Sequence, residues 1–348
     1  MTNPNIVFTR VDTAELVGKP MPEVGPGQVR VKLVRSTVSS GTERANVTGC
    51  NVVSIWDPPD APVVWPRQSG YSSSGIVDAV GEGVRSVAPG DRVAMSWTLH
   101  SAYIVVPEDR VYRLPDNVSF EAGALAHIAT FPMAAIRKCG LELGESAIVM
   151  GQGILGQLAV MLLRCAGATP VIAADPVAAK RRRALKLGAD YAFDPLAPDF
   201  AEQVRAVTTT GRAFQEGREA AAGAKVVIEV TGSGPALNTA LEAIAPNGRL
   251  ALLGCTRDSN FSVNYYRRVH ARGITLIGAH TNARPDIESA PGWWTTRDDA
   301  QTMLRLLALG RVSLKGFVSE VHPIADAPGV YARLAKGGAF PMVQFEWK

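Results

Sequence analysis

Cysteine is scarce. The chain has four, Cys50, Cys139, Cys165 and Cys255, among 348 residues, and no two of them form a C-x-x-C pair. This excludes a zinc-ribbon spacing and a disulfide framework, and reduced thiols suit the cytosol. Cys165 and Cys255 fall in apolar runs and are expected in the core. An excess of one charge is also missing: 36 Lys and Arg stand against 32 Asp and Glu, a net charge of +4. That is too small for a nucleic-acid partner in a chain of this length. The one basic run, Lys180-Arg181-Arg182-Arg183, lies in a helix-favouring stretch and reads as a solvated helix face. No apolar run reaches the length of a membrane span, and the opening Met1-Thr2-Asn3-Pro4 lacks a basic-then-apolar signal pattern. A cytoplasmic protein with no membrane partner is expected. Internal repeats and low-complexity blocks are absent.

What is present divides in character. At this length two domains are the prior. From Ile6 to about Pro115 the pattern is β with turns. Residues 28–34, Gln-Val-Arg-Val-Lys-Leu-Val, alternate as a half-buried strand does. The stretch 57–68 is proline-rich and reads as an irregular loop. Two short strands follow within 70–81 and 87–93, then one over 102–106, a spacing that suggests a small barrel or sandwich. Residues 122–138 are alanine-rich and helix-favouring. Beyond them strands and helices alternate: strands at 147–150, 170–174, 225–230, 249–253 and 274–278, helices at 156–166, 178–187 and 235–245. Such alternation predicts a parallel sheet covered by helices on both faces. A further amphipathic helix is expected over 299–309. The tail, 341–347, reads as a strand that can return to the first domain.

The stretch that organises the second half is Gly151-Gln152-Gly153-Ile154-Leu155-Gly156, a G-x-G-x-x-G between an apolar strand and an apolar helix. The first glycine allows the tight turn, the second lets backbone approach a pyrophosphate, and the third lets helix and strand pack closely. The helix N-terminus offers N–H groups and partial positive charge to phosphates. The next apolar run ends in Asp175, 24 residues after Gly151, near where an acid holds a ribose 2′-hydroxyl.

The chain resembles the medium-chain dehydrogenase/reductase superfamily. The residues that carry this are Gly75-Ile76-Val77 with Val80-Gly81-Glu82-Gly83-Val84, Gly90-Asp91-Arg92-Val93, Gly144-Glu145-Ser146, the glycine turn, Leu187-Gly188-Ala189-Asp190 and Gly248-Arg249-Leu250. They span nearly the whole chain in the family's order. The resemblance implies an α/β protein: a GroES-like β-rich catalytic domain plus a Rossmann domain with a doubly wound parallel sheet. The implied boundaries are 1–140, 141–283, and a return to the catalytic domain over 284–348. A homodimer or homotetramer is implied as well. So are cofactor contacts at Gly151, Gly153, Ile154, Leu155, Gly156, Asp175, Lys180, Thr231, Gly254, Cys255, Ala279 and His280, the last two mostly through backbone beside the nicotinamide.

The chain also departs from the family's pattern. Zinc members carry Cys-Gly-Thr-Asp, then Gly-His-Glu. The corresponding stretches here are Ser40-Gly41-Thr42-Glu43 and Gly70-Tyr71-Ser72, with His127 beyond them. Ser and Tyr are poor zinc ligands, a zinc site needs about three N, S or O ligands, and no cysteine lies between Val93 and Val106. No zinc is expected.

Without a metal, a side chain must exchange the alcohol proton. Thr42 matches the family's substrate-bonding hydroxyl. Tyr71 and His127 match vacated ligand positions, and Glu43 is a candidate to orient either. The plainer alternatives are a histidine satisfied inside its helix and a tyrosine packing the vacated space. His100 opens a strand and is left between cleft and surface, while His270 and His322 read as surface or subunit-contact residues. Tyr265-Tyr266-Arg267-Arg268 and Trp293-Trp294 are open between substrate contacts and an interface. Asp175 favours NAD, since a carboxylate accepts from a 2′-hydroxyl and repels a 2′-phosphate; Arg181 to Arg183 keep NADP as an alternative. The expectation is a zinc-independent, NAD-dependent dehydrogenase of a secondary alcohol, a small hydroxylated molecule such as a polyol or sugar. The alternatives are an NADPH-dependent enone or quinone reductase, and a non-catalytic nucleotide-binding protein.

Overall fold

Strand β1 (Thr2–Arg10) and strand β2 (Thr13–Pro20) form an antiparallel hairpin. The computed structural model describes residues 2–51, 53, 58, 60–208, 222–257 and 260–348; positions 57 and 59 of the proline-rich stretch therefore lie outside the described residues. Strand β3 (Gln28–Thr37) buries Val29, Val31 and Leu33, as its alternation requires. Helix α1 (Ser40–Val47) follows. Its Gly41, Thr42 and Asn46 are weak helix formers, so local propensity gave no hint of it. Strands β4 (Ser72–Val80), β5 (Arg92–Ser96), β6 (Tyr103–Pro107) and β7 (Val111–Arg113) pair antiparallel, β3 with both β4 and β6, β4 with β5, and β5 with β7. The alanine-rich stretch forms two helices, α2 (Phe120–Gly123) and α3 (Ala126–Lys138), not one.

The second sheet is entirely parallel. Strand β8 (Ala147–Met150) leads through the glycine turn to α4 (Ile154–Cys165). Strand β9 (Val171–Ala174), α5 (Ala178–Lys186), β10 (Tyr191–Phe193) and α6 (Phe200–Thr208) follow. Then come β11 (Ala224–Glu229), α7 (Gly234–Ala243), β12 (Ile244–Leu252), α8 (Tyr265–Arg268) and β13 (Thr275–Gly278). The six strands lie in the order β10-β9-β8-β11-β12-β13. Counted from β8 this is 3-2-1-4-5-6, the doubly wound dinucleotide-binding order, whose direction reverses between β8 and β11. Every residue of β8 and β9 is buried, as in a parallel sheet covered on both faces. Strand β10 and helix α6 were not anticipated: β10 has three residues, none of them fully buried.

The C-terminal return consists of α9 (Thr296–Ala308), β14 (Glu320–Pro323), α10 (Ala327–Ala335) and β15 (Val343–Glu346). Strand β15 pairs antiparallel with β3 and parallel with β14, completing a seven-stranded sheet. Tyr331, Phe345 and Trp347 from this return join the core around Phe8, Leu33 and Val47. The chain divides into two compact units, Met1–Ile128 with Ala300–Lys348, and Ala129–Asp299. Both divisions fall inside helices, α3 and α9. A continuous helix carries no compositional mark of such a break. Among the described residues no helix is long and apolar enough to cross a membrane.

Candidate functional site

In the first unit, the β4–β5 register sets Ser72 opposite Ser96, so Tyr71 and Trp97 leave the sheet side by side. The Trp97 N–H donates to the Tyr71 carbonyl at 2.8 Å. Trp97 has φ 57°, in the left-handed region, which costs a bulky L-residue about 1–2 kcal/mol. Its ring lies 4.7 Å, centroid to centroid, from that of His127. Tyr71 meets His127 edge-on at 5.8 Å, and Trp97 at 6.2 Å. His127 is buried, in the first turn of α3. The Tyr71 hydroxyl donates to Ser39 Oγ in a short hydrogen bond. Ser39, Tyr71, Trp97 and His127 thus form one cluster. Trp97 was not foreseen, because nothing in a sequence marks a non-glycine residue with positive φ.

Thr42 and Glu43, the other two candidates, follow Ser39 on α1. The hydroxyl bonded to Tyr71 is that of Ser39; Thr42 is half-buried on α1, and its carbonyl accepts from Asn46. Glu43 meets the cluster through the Ser39 backbone. It is fully buried and accepts from the Ser39 N–H at 2.8 Å and from the Tyr331 hydroxyl, and it pairs with His100 Nε2 at 3.1 Å. A buried carboxylate is tolerated only with partners of this kind. His100, left open between cleft and surface, is 1% exposed and belongs to this network.

In the second unit, the glycine turn has the required shape. Gly151 sits at φ +95°, and a Cβ on it would stand 2.7 Å from Thr231 Cγ2. A Cβ on Gly156 would stand 1.8 Å from the Gly151 carbonyl oxygen, so α4 approaches the turn as only glycine allows. Gly153 is exposed, with nothing within 4 Å of its Cβ position, and as the N-cap of α4 it gives no side-chain cap. Ile154 is buried in the first turn and Leu155 half-buried beside it. This open, uncapped helix start suits a pyrophosphate.

Asp175 is 4% exposed. Its Oδ2 accepts from the Gln152 N–H and its Oδ1 from the Val177 N–H, both at 2.8 Å, with Lys180 Nζ 3.5 Å away. The carboxylate is therefore fixed at the end of β9, tied to the turn itself. Arg181 does not lie on a solvated face: it donates to the carbonyls of Asp175 and Pro176 and to Asp194.

On the other side of the switch point, Glu229 ends β11. It accepts from the Thr231 N–H and hydroxyl and from the Gly232 N–H, and burial raises its pKa. Its carbonyl accepts from the Gly254 N–H. A Cβ on Gly254 would meet Gly232 N at 2.2 Å, so the loops after β11 and β12 interlock. Glu229 had a sequence signal that went unread, a lone acid closing an apolar strand, as Asp175 closes its own. Ala279 is buried, its N–H bonded to the Leu252 carbonyl; His280 Nδ1 accepts from the Asn282 N–H, and burial, Arg257 and Lys138 lower its pKa. Cys255 and Cys165 are both exposed, against expectation, while Cys139 is buried. Apolar sequence neighbours do not decide exposure at a strand's end or in a helix's last turn. Trp293 and Trp294 carry the Lys138 and Arg137 cations on their rings.

A family profile described as zinc-binding dehydrogenase matches residues 155–295. The chain is 26% identical over 266 residues to D-guloside 3-dehydrogenase of Shigella flexneri, covering 76% of this chain and 72% of that one. It is 25% identical over 364 residues to L-threonine 3-dehydrogenase of Pyrococcus furiosus, covering 96% and 95%. Galactitol-1-phosphate dehydrogenase of Escherichia coli has the same fold, with a TM-score of 0.81 at 20% identity over 99% of both chains. The zinc in the profile's description meets a poor donor set here. Of Ser40, Tyr71 and His127 only the imidazole is a common zinc ligand. Among the described residues no three His, Cys, Asp or Glu side chains gather as a metal centre. These side chains do not fit a tetrahedral zinc site. By profile, relatives and fold the chain is similar to zinc-type dehydrogenases.

Proposed function

We propose that the protein is an NAD-dependent dehydrogenase that oxidises a secondary alcohol to a ketone, or reduces the ketone, without zinc. Its substrate is a polyol, a sugar or a comparable hydroxylated metabolite. The observation that carries this reading is the Ser39–Tyr71–His127 cluster, in which Tyr71, bonded to Ser39, meets the His127 imidazole; by resemblance Tyr71 and His127 match vacated metal-ligand positions of the family. NAD bound at the glycine turn would supply the hydride acceptor.

The chain's own groups divide the rest of the work. Gly151, Gly153 and Gly156 admit the pyrophosphate to the start of α4, while Asp175 accepts from the ribose and Lys180 accompanies it. Thr231, Gly254, Cys255, Ala279 and His280 line the carboxyl ends of the neighbouring strands. Tyr71 or His127 takes the alcohol proton as the carbonyl forms, and returns it in the reverse direction. Ser39 Oγ holds the phenol, and Trp97 covers the imidazole. The dehydrogenase relatives, which by name act on a sugar glycoside and a hydroxylated amino acid, favour a hydroxylated substrate over an enone. The buried carboxylate of Asp175 favours NAD over NADP, and the engagement of Arg181 with Asp194 removes one candidate partner for a 2′-phosphate. Association as a homodimer or homotetramer belongs to the same proposal.

The test is a screen of alcohols, polyols and sugars for NADH formation, run beside enones with NADPH, on protein purified without chelator and assayed for metal. We expect turnover with a secondary alcohol, no stoichiometric zinc, and a large loss of kcat in Tyr71→Phe or His127→Ala. Enone reduction with NADPH alone, or one zinc per chain, would overturn the reading.

A further inference from the structure

Helix α1 is capped in an unusual way. An N-cap serine ordinarily spends its hydroxyl on an N–H of the first helical turn. Ser39 makes no such bond; its Oγ receives the Tyr71 hydroxyl instead. The N-cap's own N–H is held by Glu43 Oε1, which reaches back from one position beyond that of a capping-box acid. Glu43 therefore secures the N-cap residue while its hydroxyl stays turned to Tyr71.

The other oxygen of Glu43 faces His100 Nε2 and the Tyr331 hydroxyl. His100 in turn is packed against the residue just before Tyr71. Gly70 has φ +106°, and a Cβ there would lie 2.9 Å from His100 Cδ2 and 3.0 Å from His100 N. The His100 N–H also donates to the Ser69 carbonyl at 3.2 Å. One side of the Glu43–His100 pair thus sets the backbone of Ser39, and the other sets the backbone that carries Tyr71. The pair is anchored behind by Ser36, which bonds His100 Nδ1 at 2.8 Å and accepts from Trp347 Nε1 at 2.8 Å. An indole N–H can only donate, so a consistent direction runs from Trp347 through Ser36 and His100 to Glu43. Both charged-type side chains are buried, at 0% and 1% exposure. A buried pair is costly unless it is fully bonded, and such pairs serve better to fix one arrangement than to add stability.

We infer that Glu43 and His100 are a buried positioning pair that holds the Ser39 and Tyr71 hydroxyls in contact, and through them sets the geometry of proton transfer. This rests on the proposal that Tyr71 and its neighbours handle the proton. Neither residue touches the substrate: Glu43 acts through Ser39, and His100 through Gly70 and Tyr71.

The test combines kinetics with structure. Glu43→Gln, the milder His100→Gln and Tyr331→Phe, Tyr71→Phe, and the double variant Tyr71→Phe/Glu43→Gln are assayed with the alcohol from the screen, and NADH affinity is titrated. Misplacing a reacting group by about 1 Å costs up to about 100-fold in rate. We expect Glu43→Gln and His100→Gln to lower kcat by about 10- to 100-fold and to shift its pH profile, with NADH affinity unchanged. In the Tyr71→Phe background Glu43→Gln should cost little more, because the two act as one unit. An equal additional loss in that background would show a general effect on the fold and overturn the inference. A crystal structure of His100→Gln or Glu43→Gln supplies a readout independent of turnover: the Tyr71–Ser39 hydrogen bond should open, and its survival unchanged would also overturn the inference. If Tyr71→Phe keeps full activity while that bond opens, the proposed proton transfer fails and the positioning role stands.

Discussion

Two alanine substitutions in the glycine turn separate what the fold needs from what the cofactor needs. In Gly156→Ala the new Cβ would stand 1.8 Å from the Gly151 carbonyl oxygen and 2.9 Å from its carbon. An ordinary contact of this kind is nearer 3.4 Å, so more than an ångström must open between α4 and the turn. Both partners are backbone, and neither can swing away. Overpacking of this type costs about 1–3 kcal/mol. It also withdraws the start of α4 from the phosphates, at about 1.5–3 kcal/mol for each lost bond to a charged group. A loss of 1.4 kcal/mol is tenfold in Kd, so Gly156→Ala should both melt several degrees lower and bind NADH at least tenfold more weakly.

Gly153→Ala is the counterpart. Nothing lies within 4 Å of its Cβ position, and its backbone, at φ −77° and ψ −163°, is extended. The fold accepts the methyl, and its stability should stay within about 1 kcal/mol or rise slightly from the stiffer unfolded chain. The methyl stands where the pyrophosphate must approach, so NADH affinity should still fall by about tenfold or more. Thermal unfolding and fluorescence titration of NADH on both variants provide the check. Wild-type NADH affinity in Gly153→Ala would refute the assignment of this turn as the phosphate cradle.

Two further outcomes are expected. Asp175→Asn keeps the side chain's shape and removes its charge, and its NH2 gives up one of the two bonds accepted from backbone N–H groups. Two unit charges near a protein surface at 4 Å interact by about 4 kcal/mol, which Lys180 partly offsets, so the NADH-over-NADPH preference should narrow by about tenfold or more in competitive titration; an unchanged ratio would remove Asp175 as the discriminator. Thiol titration of the native protein at mildly alkaline pH should find the exposed Cys165 and Cys255 fast and the half-buried Cys50 slower, while Cys139, pushed up to about 12 by burial, should react only on unfolding. NADH should protect Cys255 and not Cys165.

The order of the elements was legible because the Rossmann half is written in long apolar strands and glycine punctuation. Strands 147–150 and 171–174 and the turn between them follow from periodicity and from the conformations only glycine adopts. Asp175 and Lys180 were legible for the same reason, since their spacing from the turn is local. That Ser40 and Tyr71 stand where zinc members carry Cys and His is what the resemblance to that family implies. Tertiary structure alone decided which partner each polar group takes. Ser39 is bonded to Tyr71, 32 residues away, and Glu43 to Tyr331, 288 residues away. Such pairings depend on which strands share a register and on how the C-terminal strand returns to β3, and no local pattern encodes them. Trp97 met His127 for the same reason, and Cys165 and Cys255 came to the surface because exposure belongs to the packed element and not to its neighbours in sequence. The sequence by itself thus determined the glycine turn and the acid bonded to it, whose residues are local. Folding decided the Ser39–Tyr71–His127 cluster, because a buried hydroxyl, imidazole or carboxylate acquires its partner from whatever distant group satisfies it.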